Sequence, residues 1–259
     1  MKLKWLGTAS ILLEHEGTQL LFDPFLSINE KTFRPDISEL AAVENILVTH
    51  GHLDHIIDIP TIIKHGDGGT TVWCTKAPGK ALISRGISGE RIRIIKPGDA
   101  LEFPPFEVRV LKGKHIRFDI WQIVKTLLSP RMIKYRKNLS YMRKQNKANV
   151  EAGETVIYDI SVSGEHILLL GSLNLEGNTE YPVGVDLLIL PFQGRSDITG
   201  YAMQVVGRLQ PRKILLDHFD DTFPPISSSV RTGRFVKKMQ RDFPAVPVIC
   251  RPAGSEWIV

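Results

Sequence analysis

Residues 48–55 read VTHGHLDH, which places three histidines and one aspartate within the six positions from 50 to 55. Neutral imidazole is a good ligand for zinc, iron or nickel, and a carboxylate suits harder ions. Two imidazoles two residues apart, His50 and His52, can turn onto one ion. The adjacent pair Asp54 and His55 can turn onto a second ion beside it. Four such groups crowded into six positions are costly without a cation to order them. The competing reading is a polar loop with incidental histidines.

Such a cluster needs a rigid support. NILVT (45–49) is a short, apolar, β-rich run and reads as a buried strand. Gly51 breaks that pattern, and IIDIPTIIK beyond it reads as helical. The ligand-type residues therefore fall on a strand-to-helix loop, where a sheet can hold them.

THGHLDH fits the H-x-H-x-D-H signature, and through it the chain resembles the metallo-β-lactamase fold superfamily. MKLKWLGTASILLEHEGTQLLFDPFLS (1–27) is similar to that superfamily's opening: a strand, a Gly turn, two more strands, then Asp-Pro. PRKILLDHFDDTFPP (211–225) resembles its closing strand, which ends in a metal-binding histidine. Within the superfamily the chain looks most like the metal-dependent hydrolase branch around ascorbate-6-phosphate lactonase. The resemblance covers most of the chain outside roughly 116–150. It implies an α/β fold of the four-layer αββα sandwich type, with metals at the sheet edge between the two halves.

The resemblance also implies a ligand set. A three-histidine site needs a third imidazole beside His50 and His52, and His115, after the strand-like FEVRVLKGK, stands where the family supplies it. The second ion would use Asp54, His55 and His218, which ends KILLD. Asp23, in LFDPF, resembles an acid that orients a ligand histidine rather than coordinating. His15, His65 and His166 read as turn residues, not ligands.

One position departs from the pattern. Relatives place an aspartate, shared by both metals, after a strand like HILLLG. Here the text is LLLGSLNLEG, with Ser172 in that place and Asn174 two residues on. A hydroxyl is a much poorer bridge, and its presence removes one negative charge from a site that must offset about +4. Three outcomes stand open: one tight and one weak metal, a single metal, or a substitute carboxylate from Asp197, Asp220 or Asp221.

Zinc is the favoured ion, one or two per chain, with manganese or iron as alternatives. A bound dication lowers the pKa of its water toward ~7, which supplies a nucleophile without a serine or cysteine. Asp54 is the candidate catalytic residue, orienting that water or accepting its proton. The expected function is metal-dependent hydrolysis of a small anionic ester, lactone or phosphodiester, among which fold and metals do not choose. The alternative is a peripheral membrane or partner-binding protein with a degenerate metal site. An iron oxidoreductase could use the same ligands, but no flavodoxin-like or rubredoxin-like module is seen. No G-x-S-x-G, P-loop or G-x-G-x-x-G context supports a serine hydrolase or a nucleotide cofactor.

At 259 residues and 42% hydrophobic content, the chain can bury a sizeable core. It is read as a single domain over 1–259 with an insertion at about 116–150. No apolar run approaches the ~20 residues that span a bilayer, and the N-terminus lacks the apolar stretch of a signal peptide. Cys74 and Cys250 lie in short apolar strands and are expected as buried free thiols, which suits a cytoplasmic location. Between residues 112 and 147 there are eleven lysines and arginines and one acid, Asp119. Against a net charge of +5 for the chain, that segment is strongly basic and the remainder acidic.

The insertion reads as two helices hinged near Ser129-Pro130, the first with an apolar stripe and Trp121 beside it. Four uses are weighed: packing on the domain or a homo-oligomer contact, a lid that admits an anionic small-molecule substrate, docking on an anionic lipid or membrane surface through 116–147, and, least favoured, nucleic acid. Elsewhere the pattern predicts strands at 2–6, 10–14, 18–23, 45–49, 71–74, 92–96, 106–111, 155–162, 166–171, 186–191, 213–217 and 246–250. It predicts helices at 78–86, 198–210 and 227–242. Strands in two groups, each closed by helices, favour a layered α/β protein.

Overall fold

A computed structural model describes residues 1–117, 119–146 and 154–258. The first half runs β1 (Lys2–Gly7), β2 (Ser10–His15), β3 (Thr18–Phe22), α1 (Ile37–Ala41), β4 (Asn45–Leu47), α2 (Leu53–Ile56), α3 (Ile59–His65), β5 (Thr71–Cys74), α4 (Lys76–Ser84) and β6 (Ile92–Ile94). Then come β7 (Ala100–Phe103), β8 (Phe106–Lys112), α5 (Ile120–Leu127), α6 (Arg131–Lys134), α7 (Arg136–Asn146), β9 (Val156–Val162) and β10 (Glu165–Leu170). The chain continues through β11 (Leu187–Pro191), α8 (Ile198–Leu209), β12 (Ile214–Asp217), α9 (Gly233–Asp242), β13 (Val248–Ile249) and β14 (Glu256–Ile258).

Two seven-stranded sheets result, ordered β14-β1-β2-β3-β4-β5-β6 and β13-β12-β11-β10-β9-β8-β7. Alternation of side chains assigns each face. Leu13, Leu20 and Leu47 of the first sheet meet Ile160, Leu169, Ile189 and Leu215 of the second in one buried layer. The opposite parity, Leu12, Leu21 and Ile46, packs under Leu40, Ile59, Ile62 and Leu82 of the helices. On the other side Leu168, Leu170, Leu188 and Leu216 pack under Val206 and Leu209 of α8 and Phe235 and Met239 of α9. Both faces of the central strands are buried, which is why HILLL and DLLIL read as continuous apolar runs. The layering is the expected αββα sandwich.

Several expectations shift. β7, β14 and α1 were not foreseen. α4 starts two residues early because Pro78 is tolerated in a first helical turn. The helix expected over 227–242 begins only at Gly233, because Ser227 and Val230 donate their N–H groups to Phe223 and Phe219. Among its described residues the insertion holds three helices rather than two, with a second break at Tyr135. Its expected end at 147–150 lies outside the described residues. His15 and His166 are strand residues and His65 ends a helix, so none is a turn residue. Their rings bond Ser163, Asp159 and the Thr61 carbonyl. Cys74 is buried, Cys250 is half-buried, and both are free thiols.

Candidate metal centre

β8 and β10 both pair antiparallel with β9, and β10, β11 and β12 run parallel, so their C-terminal ends share one edge. From that edge come His115 beyond β8, Ser172 beyond β10, Gln193 beyond β11 and His218 beyond β12. From the other sheet, the β4–α2 loop brings His50 and His52 to the same place, and the first turn of α2 brings Asp54 and His55, which are helical rather than on the loop expected for them. All of these line one cavity of about 370 Å³.

Two ligand groups form there. The candidate ligand atoms of His50, His52 and His115 lie within 4.8 Å of one another, as do those of Asp54, His55 and His218. The rings of His50 and His55, one from each group, are only 4.0 Å apart between centroids. The sequence-derived ligand set is therefore brought together in full.

Hydrogen bonds aim the rings. Asp23 Oδ1 accepts from the Thr49 N–H at 2.8 Å, and Oδ2 accepts from the Thr49 hydroxyl at 2.6 Å. With its one proton given to Asp23, that hydroxyl can only accept from His50 Nδ1, at 3.0 Å. Asp23 Oδ2 also lies 2.9 Å from His55 Nδ1. The His115 Nδ1 bonds the Ile116 carbonyl at 2.6 Å. In each case Nδ1 carries the proton and Nε2 keeps a lone pair, the state a metal requires. Asp23 thus bonds Thr49 and His55 and belongs to neither ligand group.

Thr8, Asp23 and His218 all have positive φ, at 50°, 44° and 57°. Non-glycine residues rarely adopt this region, and each instance costs of order 1–3 kcal/mol. The His218 N–H donates to the Thr8 carbonyl, so two of these strained residues support each other at the site.

Ser172 lines the cavity and belongs to neither ligand group. Its hydroxyl accepts from the Ile116 N–H at 2.9 Å, and Asn174 Nδ2 donates to the His115 carbonyl at 3.3 Å. The pair clamps the loop that carries His115. The three suggested substitute carboxylates lie outside both ligand groups. Asp197 caps α8 through the Gly200 N–H, Asp220 accepts from the Thr8 N–H, and Asp221 pairs with Arg131.

The donor sets fit a cation. The His50 Nε2 and His218 Nδ1 atoms are buried without a hydrogen-bond partner, which is costly unless something else takes their lone pairs. Burial, reinforced by the neighbouring imidazoles, pushes His50 well below the ordinary histidine pKa. Burial takes His52 to about 4 against the pull of Asp54. Burial also lowers His115. Asp54 stays below the carboxylate range because His55 and the His218 hydrogen bond outweigh its burial. His55 and His218 are raised, since Asp23 and Asp54 overcome the burial of the one and Asp54 that of the other.

Protons compete with a cation for imidazole below each ring's pKa. That pKa is raised in the Asp54, His55, His218 group and lowered in the His50, His52, His115 group. On acidification from pH 8 toward 5 the first group should release its ion first. Metal content after dialysis across that range checks this. The ion retained at low pH should vanish in His52→Ala and persist in His218→Ala, and the reverse order would refute the assignment.

Thr49 and Gly171 escaped the sequence reading. A Cβ on Gly171 would sit 2.1 Å from Thr49 Oγ1, so only glycine lets β10 pass the Thr49 side chain. The signal was a glycine following three leucines at a strand end, a position that admits close approach. The cavity walls Ile123, Leu127, Phe223 and Ile226 carry no motif at all.

Known proteins agree with this architecture. A UPF0173 metal-dependent hydrolase of Azorhizobium caulinodans is 34% identical over 120 residues, 44% of this chain and 49% of that one. The chain spans about half the length of the curated relatives it matches. Igni18, a metallo hydrolase of the archaeon Ignicoccus hospitalis, superposes with a TM-score of 0.65 at 15% identity, covering 100% of this chain and 98% of that one. CmlA, a diiron β-hydroxylase of Streptomyces venezuelae, superposes at 0.65 and 14% identity, covering 100% of this chain and 54% of that one. At such identities these two likenesses concern the fold alone. The model of the β-lactamase superfamily domain matches residues 2–217, which takes in every residue of both ligand groups except His218. A match over that much of the chain makes the protein a member of the β-lactamase superfamily.

Proposed function

We propose that this protein is a metal-dependent hydrolase that acts on a small ester, lactone or phosphodiester. The observation that carries the reading is the convergence of two three-ligand groups, with their imidazoles aimed and Asp54 ionised, on one cavity. Zinc suits three imidazoles in one group and two imidazoles with a carboxylate in the other, with manganese and iron as alternatives. Bound there, a divalent ion supplies Lewis acidity and brings the pKa of water near 7.

The remaining work falls to the chain. Asp54 Oδ2 accepts from His218 Nε2 at 3.2 Å and lies at the cavity wall, placed to orient a water or to take its proton. Gln193 lines the same space, with its Oε1 buried and unpartnered and its amide nitrogen held by the Ser228 carbonyl. Ile116, Leu173, Phe223 and Ile226 exclude water and suit an apolar portion of the substrate. No lysine or arginine lines the cavity among the described residues, so the anionic character expected of the substrate rests on the two ligand groups alone. Two unpaired cysteines suit a reducing compartment, and the reading places the protein in the cytoplasm. No helix among the described residues is long and apolar enough to cross a membrane.

The names of the aligned relatives support the reading. A chelator test checks it. Zinc-loaded protein should hydrolyse at least one of a nitrophenyl ester, a lactone and a bis-nitrophenyl phosphodiester. A chelator should abolish that turnover and added zinc restore it. Turnover indifferent to the chelator, or none on all three classes, would overturn the proposal.

A further inference from the structure

Helix α5 has two apolar edges, and only one belongs to the cavity. Ile123, Thr126 and Leu127 line the cavity. The other edge carries Ile120, Trp121, Val124 and Leu128, the last held in the helical turn by its N–H to the Val124 carbonyl. At 3.6 residues per turn these four fall within roughly 100° of arc. They stand in solvent, with Trp121 74% and Leu128 80% exposed, and Ile133 on the next helix is 75% exposed. An apolar patch of this kind marks an interaction surface.

The exposed charges of this stretch of chain are of one sign. Lys125 lies one turn beyond Trp121, and Arg117, Lys134, Arg136 and Lys137 are exposed nearby in the chain. The one acid of this stretch, Asp119, is engaged by the Ser196 N–H and hydroxyl. The patch also stands on a fixed base. Arg131 pairs with Asp221 at 2.7 Å, Asn138 donates to the Pro224 carbonyl, and Arg85 holds Gln145. A second copy of this face would set cation against cation. An anionic bilayer complements it: tryptophan and leucine enter the headgroup–acyl boundary while lysines and arginines meet phosphates.

We propose that this face of α5, with Leu128 and Ile133, docks on an anionic lipid surface and turns the cavity mouth at Ile123 and Leu127 toward the headgroups. Docking requires no metal and stands apart from the hydrolase reading. The test is vesicle flotation at low salt, with phosphatidylcholine alone and with added phosphatidylglycerol. The protein should float with the anionic vesicles only. Trp121→Ser with Leu128→Ser should bind roughly tenfold more weakly or less, and Lys134→Gln with Lys137→Gln should lose the salt-sensitive part. All four side chains are exposed, and an unchanged circular dichroism spectrum would exclude misfolding. No flotation with anionic vesicles, equal flotation with neutral ones, or undiminished binding by the serine variant would overturn the proposal. So would a dimer in light scattering that the serine variant abolishes, which would make the face a self-contact.

Discussion

Replacing His52 by alanine should remove one ion per chain and lower kcat/KM by about 10³-fold or more. A metal's contribution to transition-state charge is several kcal/mol, and each 1.36 kcal/mol is tenfold in rate. His52 is the informative choice within its group. Its ring lies 4.7 Å from that of His50 and 4.4 Å from that of His115. It occupies the N-cap position of α2 but makes no capping side-chain bond, and it is only half-buried. His50, by contrast, is buried and bonded to Thr49, so its loss would mix metal binding with folding. The thermal midpoint of metal-free His52→Ala should stay close to that of the metal-free parent. Unchanged turnover in this variant would remove the group from the mechanism.

Replacing Gly171 by alanine should destabilise the protein by about 1–3 kcal/mol, the usual cost of overpacking a tight interior, and weaken metal binding ~10–100-fold. The new methyl would overlap Thr49 at both Oγ1 and Cβ, at 2.1 and 2.2 Å. A rotation of Thr49 cannot relieve this, because the Cβ itself is in the way. Either β10 or the β4 end must move. Thr49 ties Asp23 to His50 and sits beside His55, so a displacement there reaches both ligand groups. Chelator-competition titration and thermal unfolding of the same variant check the two effects together. Parental stability with parental affinity would show that the junction has slack.

The ligand chemistry was legible because it is local. H-x-H-x-D-H packs four groups into one strand-to-helix junction, and His218 closes a strand whose apolar run is plain. What orients those ligands was only partly legible, because it is assembled from distant segments. Asp23 could be singled out through its Asp-Pro context, but its partner Thr49 has no signature, and 26 residues separate them. The strand expected over 45–49 leaves its own ladder at Leu47 for a reason outside its sequence. The carbonyls of Val48 and Thr49 are captured by the Tyr158 hydroxyl and the Val156 N–H of the other sheet. Short elements failed differently. β14 is three residues paired with β1, below the length at which alternation can be recognised. α1 carried a readable cue, Asp36 capping the Ser38 N–H with Glu39 three residues on, which the periodicity reading passed over. Ser172 is legible as a departure from the resembled pattern, but its service as a clamp on the His115 loop depends on contact with Ile116, 56 positions away.

Under the proposed function the two groups, His50, His52, His115 and Asp54, His55, His218, each hold an ion without a bridging carboxylate. Plasma mass spectrometry on protein purified without a chelating column, then reconstituted with zinc, tests it most directly. The expected result is two ions per chain, falling to one in His52→Ala. One ion per chain, or none, after reconstitution with zinc would contradict it.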